Sequence, residues 1–354
     1  MSATAREPQR IALLDTPASD WRAVVGACAD APFRGDQVAN WVFGHGVFRF
    51  ADMENLPRAL RDELRSAFEI EPPRVAARFT SVDGTLRFLL ELRDGQKVEA
   101  VYMPYADRVT LCISSQVGCR FACGFCQTGV MGLQRSLSAG EIVGQVLRLR
   151  AEESHLERPV NVVFMGQGEP LDNPDGVVSA VRALQDPRGP ALVWRRITVS
   201  TVGVVSGLQR LVELDGARPR VAVSLNATTD EVRSEIMPIN RKWPIGELLA
   251  ALRTIPWRPR EKVTFEYVLL SGVNDTLDDA RRLGALLRGL PAKVNLIPWN
   301  PLPTLPYLRP SPEHIERFRV AALAGGIDVL VRYSRGADIA AACGQLHASG
   351  KGRA

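Results

Sequence analysis

Leu111–Gly129 reads LCISSQVGCRFACGFCQTG and holds four of the six cysteines of the chain. Three of them, Cys119, Cys123 and Cys126, follow the spacing C-x3-C-x2-C, which lets three thiolates of one loop converge on one centre. A structural zinc site is normally closed by four protein ligands, whereas a four-iron cluster held by three cysteines keeps one iron free for a small molecule. Two plainer readings stand beside this one. Cys112, upstream in the same stretch, could complete an all-cysteine zinc site, and Cys123 with Cys126 could form a redox pair. Iron and sulfide content separates the three.

From Val109 onward apolar runs alternate with amphipathic stretches. Strands are expected at 109–114, 160–165, 196–200, 220–225, 262–270 and 293–297, and helices at 138–153, 175–184, 206–214, 245–255, 275–287 and 311–324. Ser138 with Glu141 forms a capping box that starts the first of these helices. Six βα units in succession argue for an α/β fold with a parallel sheet, and six falls short of the eight that close a barrel. The expected architecture is a partial, TIM-like (β/α)6 barrel over residues 105–346, followed by a tail at 347–354. Upstream, residues 1–80 read as a small helical and basic accessory domain, with apolar spacing in 37–43 and 56–68, that could dock RNA or serve as a stabilising cap. Residues 81–104 read as a β-hairpin turning at Arg93-Asp94-Gly95. The Pro-rich stretch 291–312 reads as a stiff ordered loop containing Trp299, Leu302 and Tyr307.

Composition agrees with a soluble globular chain: 354 residues, 46% apolar and 23% charged. No apolar run approaches a bilayer span, and the start, MSATAREPQR, lacks a signal-peptide core. The expected place is the cytoplasm, where thiols stay reduced and a disulfide framework is not the default. A net charge of +5 suits a polyanionic partner without demanding one. Arg135, Arg241, Lys242, Arg332 and Arg335 are candidates for phosphate contacts, against the common alternative of solvated surface.

In parallel barrels the chemistry gathers at the carboxyl ends of the strands. The cysteine loop follows the first expected strand and Gly166-Gln167-Gly168-Glu169-Pro170 the second. Ser200 ends the third, Ser224-Leu225-Asn226 the fourth, and Asn300 follows the sixth. Taken singly, each is more often a turn or a cap. On one rim with three cysteines they describe a ligand pocket. Cys112, Cys343 and Cys28, as unliganded cysteines, fall by residue type among small buried hydrophobes.

The cysteine loop resembles that of the radical SAM enzymes, whose open iron binds the amino and carboxyl groups of S-adenosylmethionine (SAM). Beyond the loop, the chain from about Phe33 to Leu346 resembles the RlmN/Cfr family of radical SAM RNA adenine methyltransferases, nearer its RlmN branch. The likeness rests on DGTLRFLLELRDGQKVEAVYMP, TLCISSQVGC, FMGQGEPLDN, VAVSLNATTDEVRSEIMPIN, VTFEYVLLSGVND, VNLIPWNP and RGADIAAACGQL. It implies a 4Fe-4S cluster on Cys119, Cys123 and Cys126, and SAM against Gly168, Glu169, Ser200, Ser224, Leu225, Asn226 and Asn300. It also implies a methyl-carrying role for Cys343, a product-releasing role for Cys112 and a proton-accepting role for Glu99. By residue type alone, Glu99 on a hairpin would be a solvated side chain. Three positions depart from the family pattern: Gln167 where Met is common, Val202 where Ser is common, and Asn226 where His is usual.

The implied activity is methylation of adenine carbon 2 in 23S rRNA and in some tRNAs, with two SAM molecules per turnover and an electron-donor protein as partner. A monomer that does not associate with membranes is the expected state. The rivals are a carbon-8 (Cfr-like) methyltransferase and a zinc-stabilised RNA-binding module without catalysis.

Overall fold

The computed structural model describes residues 10–29, 31–153 and 158–348. The signal-free start expected for residues 1–9 and most of the expected tail, residues 349–354, lie outside them. The described chain opens with a two-residue strand, β1 (Ile11–Ala12), that pairs in parallel with β2 (Phe68–Glu69). Between them lie α1 (Trp21–Ala29), α2 (Phe33–Ala39) and α3 (Arg58–Ala67). In α3, RALRDELRSA, Leu60 and Leu64 stand one turn apart and are buried, and the charged residues between them face outward. Trp21 is fully buried and its indole Nε1 donates to the Leu13 carbonyl at 3.1 Å. This part is latched to the rest by Asp15, whose Oδ1 accepts from the Gly140 amide at 2.6 Å.

A ten-stranded sheet follows. Its antiparallel side is β3 (Arg74–Thr80), β4 (Leu86–Glu91) and β5 (Lys97–Pro104), and β5 pairs antiparallel with β6 (Val109–Cys112). A separate antiparallel pair, β7 (Gln116–Cys119) and β8 (Gly132–Ser136), brackets the cysteine loop and its one-turn helix α4 (Gln127–Val130). The alternating part then runs α5 (Ala139–Glu152), β9 (Val160–Phe164), α6 (Pro174–Gln185), β10 (Ile197–Thr201), α7 (Val205–Val212) and β11 (Arg220–Ser224). It continues with α8 (Asp230–Ile236), α9 (Ile245–Arg253), β12 (Val263–Leu269), α10 (Leu277–Leu287), β13 (Ala292–Pro298), α11 (Pro312–Ala324) and β14 (Asp328–Val331). The sheet order is β14-β13-β12-β11-β10-β9-β6-β5-β4-β3, with β6 and β9–β14 parallel. Strands β14 and β3 form its two edges, so the barrel is partial, as expected. The capping box of Ser138 and Glu141 at α5 is formed.

Besides the short pairs β1–β2 and β7–β8, which the sequence reading also did not anticipate, two strands of the large sheet depart from the expectation. Arg74–Thr80, read as the end of a helical stretch, is β3, an edge strand exposed at every second residue. The four-residue β14 adds a seventh parallel strand after the six expected, paired with β13 from Lys293↔Asp328 to Leu296↔Val331. Edge strands of this kind carry polar residues and no long apolar run.

The strand period of two divides the sheet into faces. Val162, Phe164, Val199, Val221, Val223, Phe265, Tyr267, Val294 and Leu296 are all buried, in one core with Ile142, Val146, Val181, Leu208, Leu248, Leu283 and Phe318 of the helices. The opposite face is far more polar, with Ser200, Ser224, Glu266 and Asn295 on it, and looks into the hollow of the partial barrel. Among the described residues no helix is long and apolar enough to cross a membrane.

Candidate active site

The loop between β7 and β8 is held open by backbone geometry. Gly118 has φ +78°, and a Cβ there would lie 1.8 Å from the Gly132 carbonyl oxygen, so the pinch at its base admits only glycine. Within the loop the Cys126 amide donates to the Cys123 carbonyl at 3.1 Å and the Gly129 amide to the Cys126 carbonyl at 3.1 Å. The Gly124 amide donates to Ile236 (2.9 Å), and Trp299 Nε1 donates to the Phe125 carbonyl (3.3 Å). Burial pushes the Cys119 thiol up to about 12, with Cys126 and Glu169 adding like charge. Burial likewise raises Cys123, its two companion thiols contributing, and Cys126. Among the described residues no group of three or more His, Cys, Asp and Glu side chains is placed to hold a metal ion. Cysteines that each carry a different iron of a cluster stand farther apart than ligands closing on one zinc ion. Cys112 lines a different cavity, with Cys343, and none of Cys119, Cys123 and Cys126 is on its wall.

The GQGEP turn places its carboxylate inside the rim. Gly168 has φ +95°, and a Cβ there would stand 2.5 Å from Gln116 Cβ. Glu169 is buried, its Oε1 accepting from the Leu171 amide (3.0 Å) and its Oε2 from the Val202 amide (2.8 Å). Burial raises its carboxyl to about 7 against those hydrogen bonds. Asn226, at φ +58°, occupies the left-handed region that Asn tolerates better than most side chains. Its Oδ1 accepts from the Val268 amide (2.8 Å) and its Nδ2 donates to Met237 Sδ (3.2 Å). Asn300 Nδ2 donates to Ser334 Oγ (2.9 Å) and to the Cys343 carbonyl (3.2 Å).

One cavity gathers Cys126, Gly168, Glu169, Ser200, Ser224, Asn226, Asn300 and Cys343. Leu225 is not on its wall: its side chain is fully buried in the main core, and only its backbone serves the rim, donating to Glu266 at 3.0 Å and accepting from Arg233 Nε at 3.0 Å. The strand period explains this, since Leu225 faces opposite to Ser224. Sequence reading missed Arg233 and Glu266 here, and took Arg332 only as a candidate phosphate contact. Arg233 is fully buried and also donates to the Val202 (2.7 Å) and Ser224 (3.1 Å) carbonyls, tying two strand ends together. Glu266 and Arg332 line the cavity. The polar residue in VTFEYVL, on the same face as Val268, is the signal that could have disclosed Glu266.

The C-terminal segment crosses the rim and is fastened on both sides. Asp338 accepts from Ser81 Oγ (2.6 Å) and the Val82 amide (3.1 Å), and Asp83 accepts from the Gly336 amide (3.1 Å). Gln127 donates its amide to the Gly344 carbonyl (2.8 Å), and Thr128 Oγ1 donates to Leu346 (2.7 Å). These bonds put Cys343 over the cysteine loop. A second cavity joins Cys343 to Cys112, with Met103, Tyr105, Met165 and Arg332 among its walls. Both thiols are free. Burial, then the neighbouring Cys343, pushes Cys112 up to about 12. Cys28 is half-buried against the main core.

Glu99 is not a solvated hairpin residue. It is fully buried, paired with Arg87, and its Oε2 accepts from the His347 amide at 2.8 Å. Among the basic candidates, Arg332 is half-buried between the two cavities rather than on the outer surface. Arg135 is engaged by Asp94 and Glu141, and Arg335 by Asp83 and the Pro104 carbonyl. Lys242 lies over the Trp243 ring at 4.3 Å, and Arg241 is exposed.

Comparison with known proteins gives the family. Residues 113–283 match the Radical SAM superfamily, and residues 11–70 match the ribosomal RNA large subunit methyltransferase N-terminal domain. A dual-specificity RNA methyltransferase RlmN of Anaeromyxobacter dehalogenans is 46% identical over 344 residues, covering 96% of this chain and 92% of the relative. A probable dual-specificity RNA methyltransferase RlmN of Koribacter versatilis is 46% identical over 332 residues, 89% of this chain and 95% of that one. The crystal structure of a radical SAM methyltransferase from Sphaerobacter thermophilus superposes with a TM-score of 0.92 at 42% identity, covering 96% of this chain and 100% of that one.

Proposed function

Because the chain belongs to the RlmN-type radical SAM RNA methyltransferases, we propose that it methylates carbon 2 of an adenine in 23S rRNA, and of adenines in some tRNAs, through a methyl group carried on Cys343. The observation that carries this reading is the position of Cys343 on the walls of both cavities, one shared with Cys126 and Glu169, the other with Cys112. A residue that must take a methyl group at one site and present it at another needs such a place.

The donor set fits a three-cysteine cluster and SAM. Three thiols, Cys123 buried and Cys119 and Cys126 half-buried, stand in one loop, and a buried carboxylate beside them is suited to accept from an amino group. Cys119, Cys123 and Cys126 would hold the cluster, giving up their protons to iron. Glu169, Ser200, Ser224, Asn226 and Asn300 would hold SAM. With the cluster and SAM bound there, the site would be supplied with a transferable methyl group and, given one electron from a donor protein, with radical chemistry able to remove a hydrogen atom.

The protein's own part follows from adenine chemistry. Carbon 2 lies between two ring nitrogens, is electron-poor, and is no nucleophile toward a sulfonium methyl. Cys343, as thiolate, is one. It accepts the methyl group, and after loss of a hydrogen atom the carbon on its sulfur bonds to the base, joining protein to RNA. Cys112 then attacks the Cys343 sulfur, its thiol proton passing to the methylene carbon as the third methyl hydrogen. The carbon–sulfur bond breaks to leave a Cys112–Cys343 disulfide, the ring proton departs, and the unpaired electron of the adduct would be taken back by the bound cluster. Glu99 would accept the ring proton once the His347 amide releases it.

Mass spectrometry of nucleosides from RNA methylated in vitro tests the assignment. The expected product is 2-methyladenosine. 8-Methyladenosine would establish the carbon-8 rival, and zinc without iron in the purified protein would establish the non-catalytic one.

Glu169 supports a further prediction. With its carboxyl raised to about 7, the neutral form prevails below that pH and the carboxylate above it. The N–H groups at the amino end of SAM need the carboxylate as acceptor, so protonation of Glu169 should add a fall in SAM affinity of up to about tenfold per unit below pH 7 to whatever slope the amino group of SAM itself gives. Equilibrium dialysis between pH 6 and 8 measures this. Glu169→Gln should bind SAM weakly at every pH and lack this added fall below pH 7; an unchanged slope in the variant would remove Glu169 from the amino-group site.

A further inference from the structure

Glu266 lies on the inner face of β12, in a row with Ser224 of β11 and Asn295 of β13. It is 5% exposed. Asn295 Nδ2 donates to its Oε1 at 3.0 Å, and no protein group donates to its Oε2. A buried carboxylate oxygen without a donor is costly, on the order of 1–3 kcal/mol or more, and such groups in a native site commonly await a ligand. Burial pushes Glu266 toward its neutral form, while Arg332, Asn295 and Lys293 favour the charge.

The cavity gives the ligand a direction. Glu169, after β9, is suited to the amino group at one end; Ser200 and Ser224 follow on β10 and β11; Val268 and Ile297 offer apolar surface on β12 and β13 beside Glu266. A molecule anchored by its amino acid end at Glu169 lays its nucleoside against Glu266. The target base belongs with the two thiols, and Glu266 does not line the cavity that Cys112 and Cys343 share. Carboxylates at strand ends of parallel sheets hold ribose hydroxyls in dinucleotide sites for the same reason: they only accept, and a vicinal diol offers two donors.

We infer that Glu266 holds the ribose of SAM, with Oε2 accepting a hydrogen bond from one of the two vicinal hydroxyls. This rests on the reading of the cavity as the SAM site. It accounts for the acidic residue on β12 without giving it any part in the bond-making steps.

The test uses the full-length, anaerobically iron-loaded protein and equilibrium dialysis with SAM and with SAM lacking the 2' or the 3' hydroxyl. Native protein should bind at least one deoxy analogue about tenfold or more weakly than SAM. Glu266→Gln, which keeps the side-chain shape, and Glu266→Ala should each bind SAM about tenfold more weakly and lose most of the discrimination. Iron content and melting temperature of the Gln variant report whether the fold and the cysteine loop are intact. Unchanged SAM affinity in both variants, discrimination as strong as native, or loss of RNA methylation with SAM affinity retained would each overturn the assignment. Iron-loaded native protein that binds no SAM would overturn the underlying reading of the cavity as well.

Discussion

Replacing Cys343 with alanine is expected to abolish RNA methylation and leave the iron content unchanged. The two effects separate because Cys343 is not among the three thiols of the 119–126 loop, and the segment that carries it touches that loop through backbone bonds from Gln127 and Thr128. Those bonds go to the Gly344 and Leu346 carbonyls and survive loss of a sulfur. The side chain is half-buried and free, so its removal should cost little stability, on the order of 1 kcal/mol. The loss of turnover should be complete to detection, since no other group on the walls of both cavities is a thiol. SAM binding at Glu169 should persist. A Cys343→Ala variant that still methylates RNA would end the assignment, whatever its rate.

Cys112→Ala should give the opposite signature, a protein that starts the reaction and cannot finish it. Cys112 faces Cys343 across the second cavity and is held as a neutral thiol by burial. Without it nothing attacks the Cys343 sulfur, and the carbon bridge between Cys343 and the base stays in place. Denaturing gel electrophoresis with labelled RNA should show a protein-RNA adduct that resists reducing agents, because its link is a thioether and not a disulfide. Nuclease digestion should leave a modified adenine on the peptide containing Cys343. The release of free methylated RNA by this variant would argue against the resolving role. Alanine fills most of the buried site, so a stability loss of about 1 kcal/mol is the expected side effect.

The parallel half of the fold and the rim motifs were legible because they are written locally. A capping box at Ser138, apolar runs of strand length and a C-x3-C-x2-C loop each declare themselves within a few residues. Strands β3 and β14 did not, because edge strands are short or alternating and depend on a neighbour for definition. Residue type alone misplaced Glu99 in solvent for a related reason. Its burial depends on Arg87 across the hairpin, where Arg87 pairs with Val101 and Leu89 with Glu99 in register, so the two charges are same-face diagonal neighbours. Reading the hairpin register from its Asp94-Gly95 turn would have paired them. Leu225 was placed at the site as part of a motif, while the strand period points its side chain away. The meeting of Cys112 with Cys343 came from family resemblance alone, since no local pattern joins the first parallel strand to the last described segment.

The most direct test of the central claim follows the methyl group itself. Protein carrying methyl-deuterated Cys343 is prepared with labelled SAM, freed of small molecules, and given RNA, reductant and unlabelled SAM. The account predicts that the first methyladenosine formed carries deuterium from the protein. A first-turnover product without deuterium, formed while Cys343 keeps its label, would contradict it.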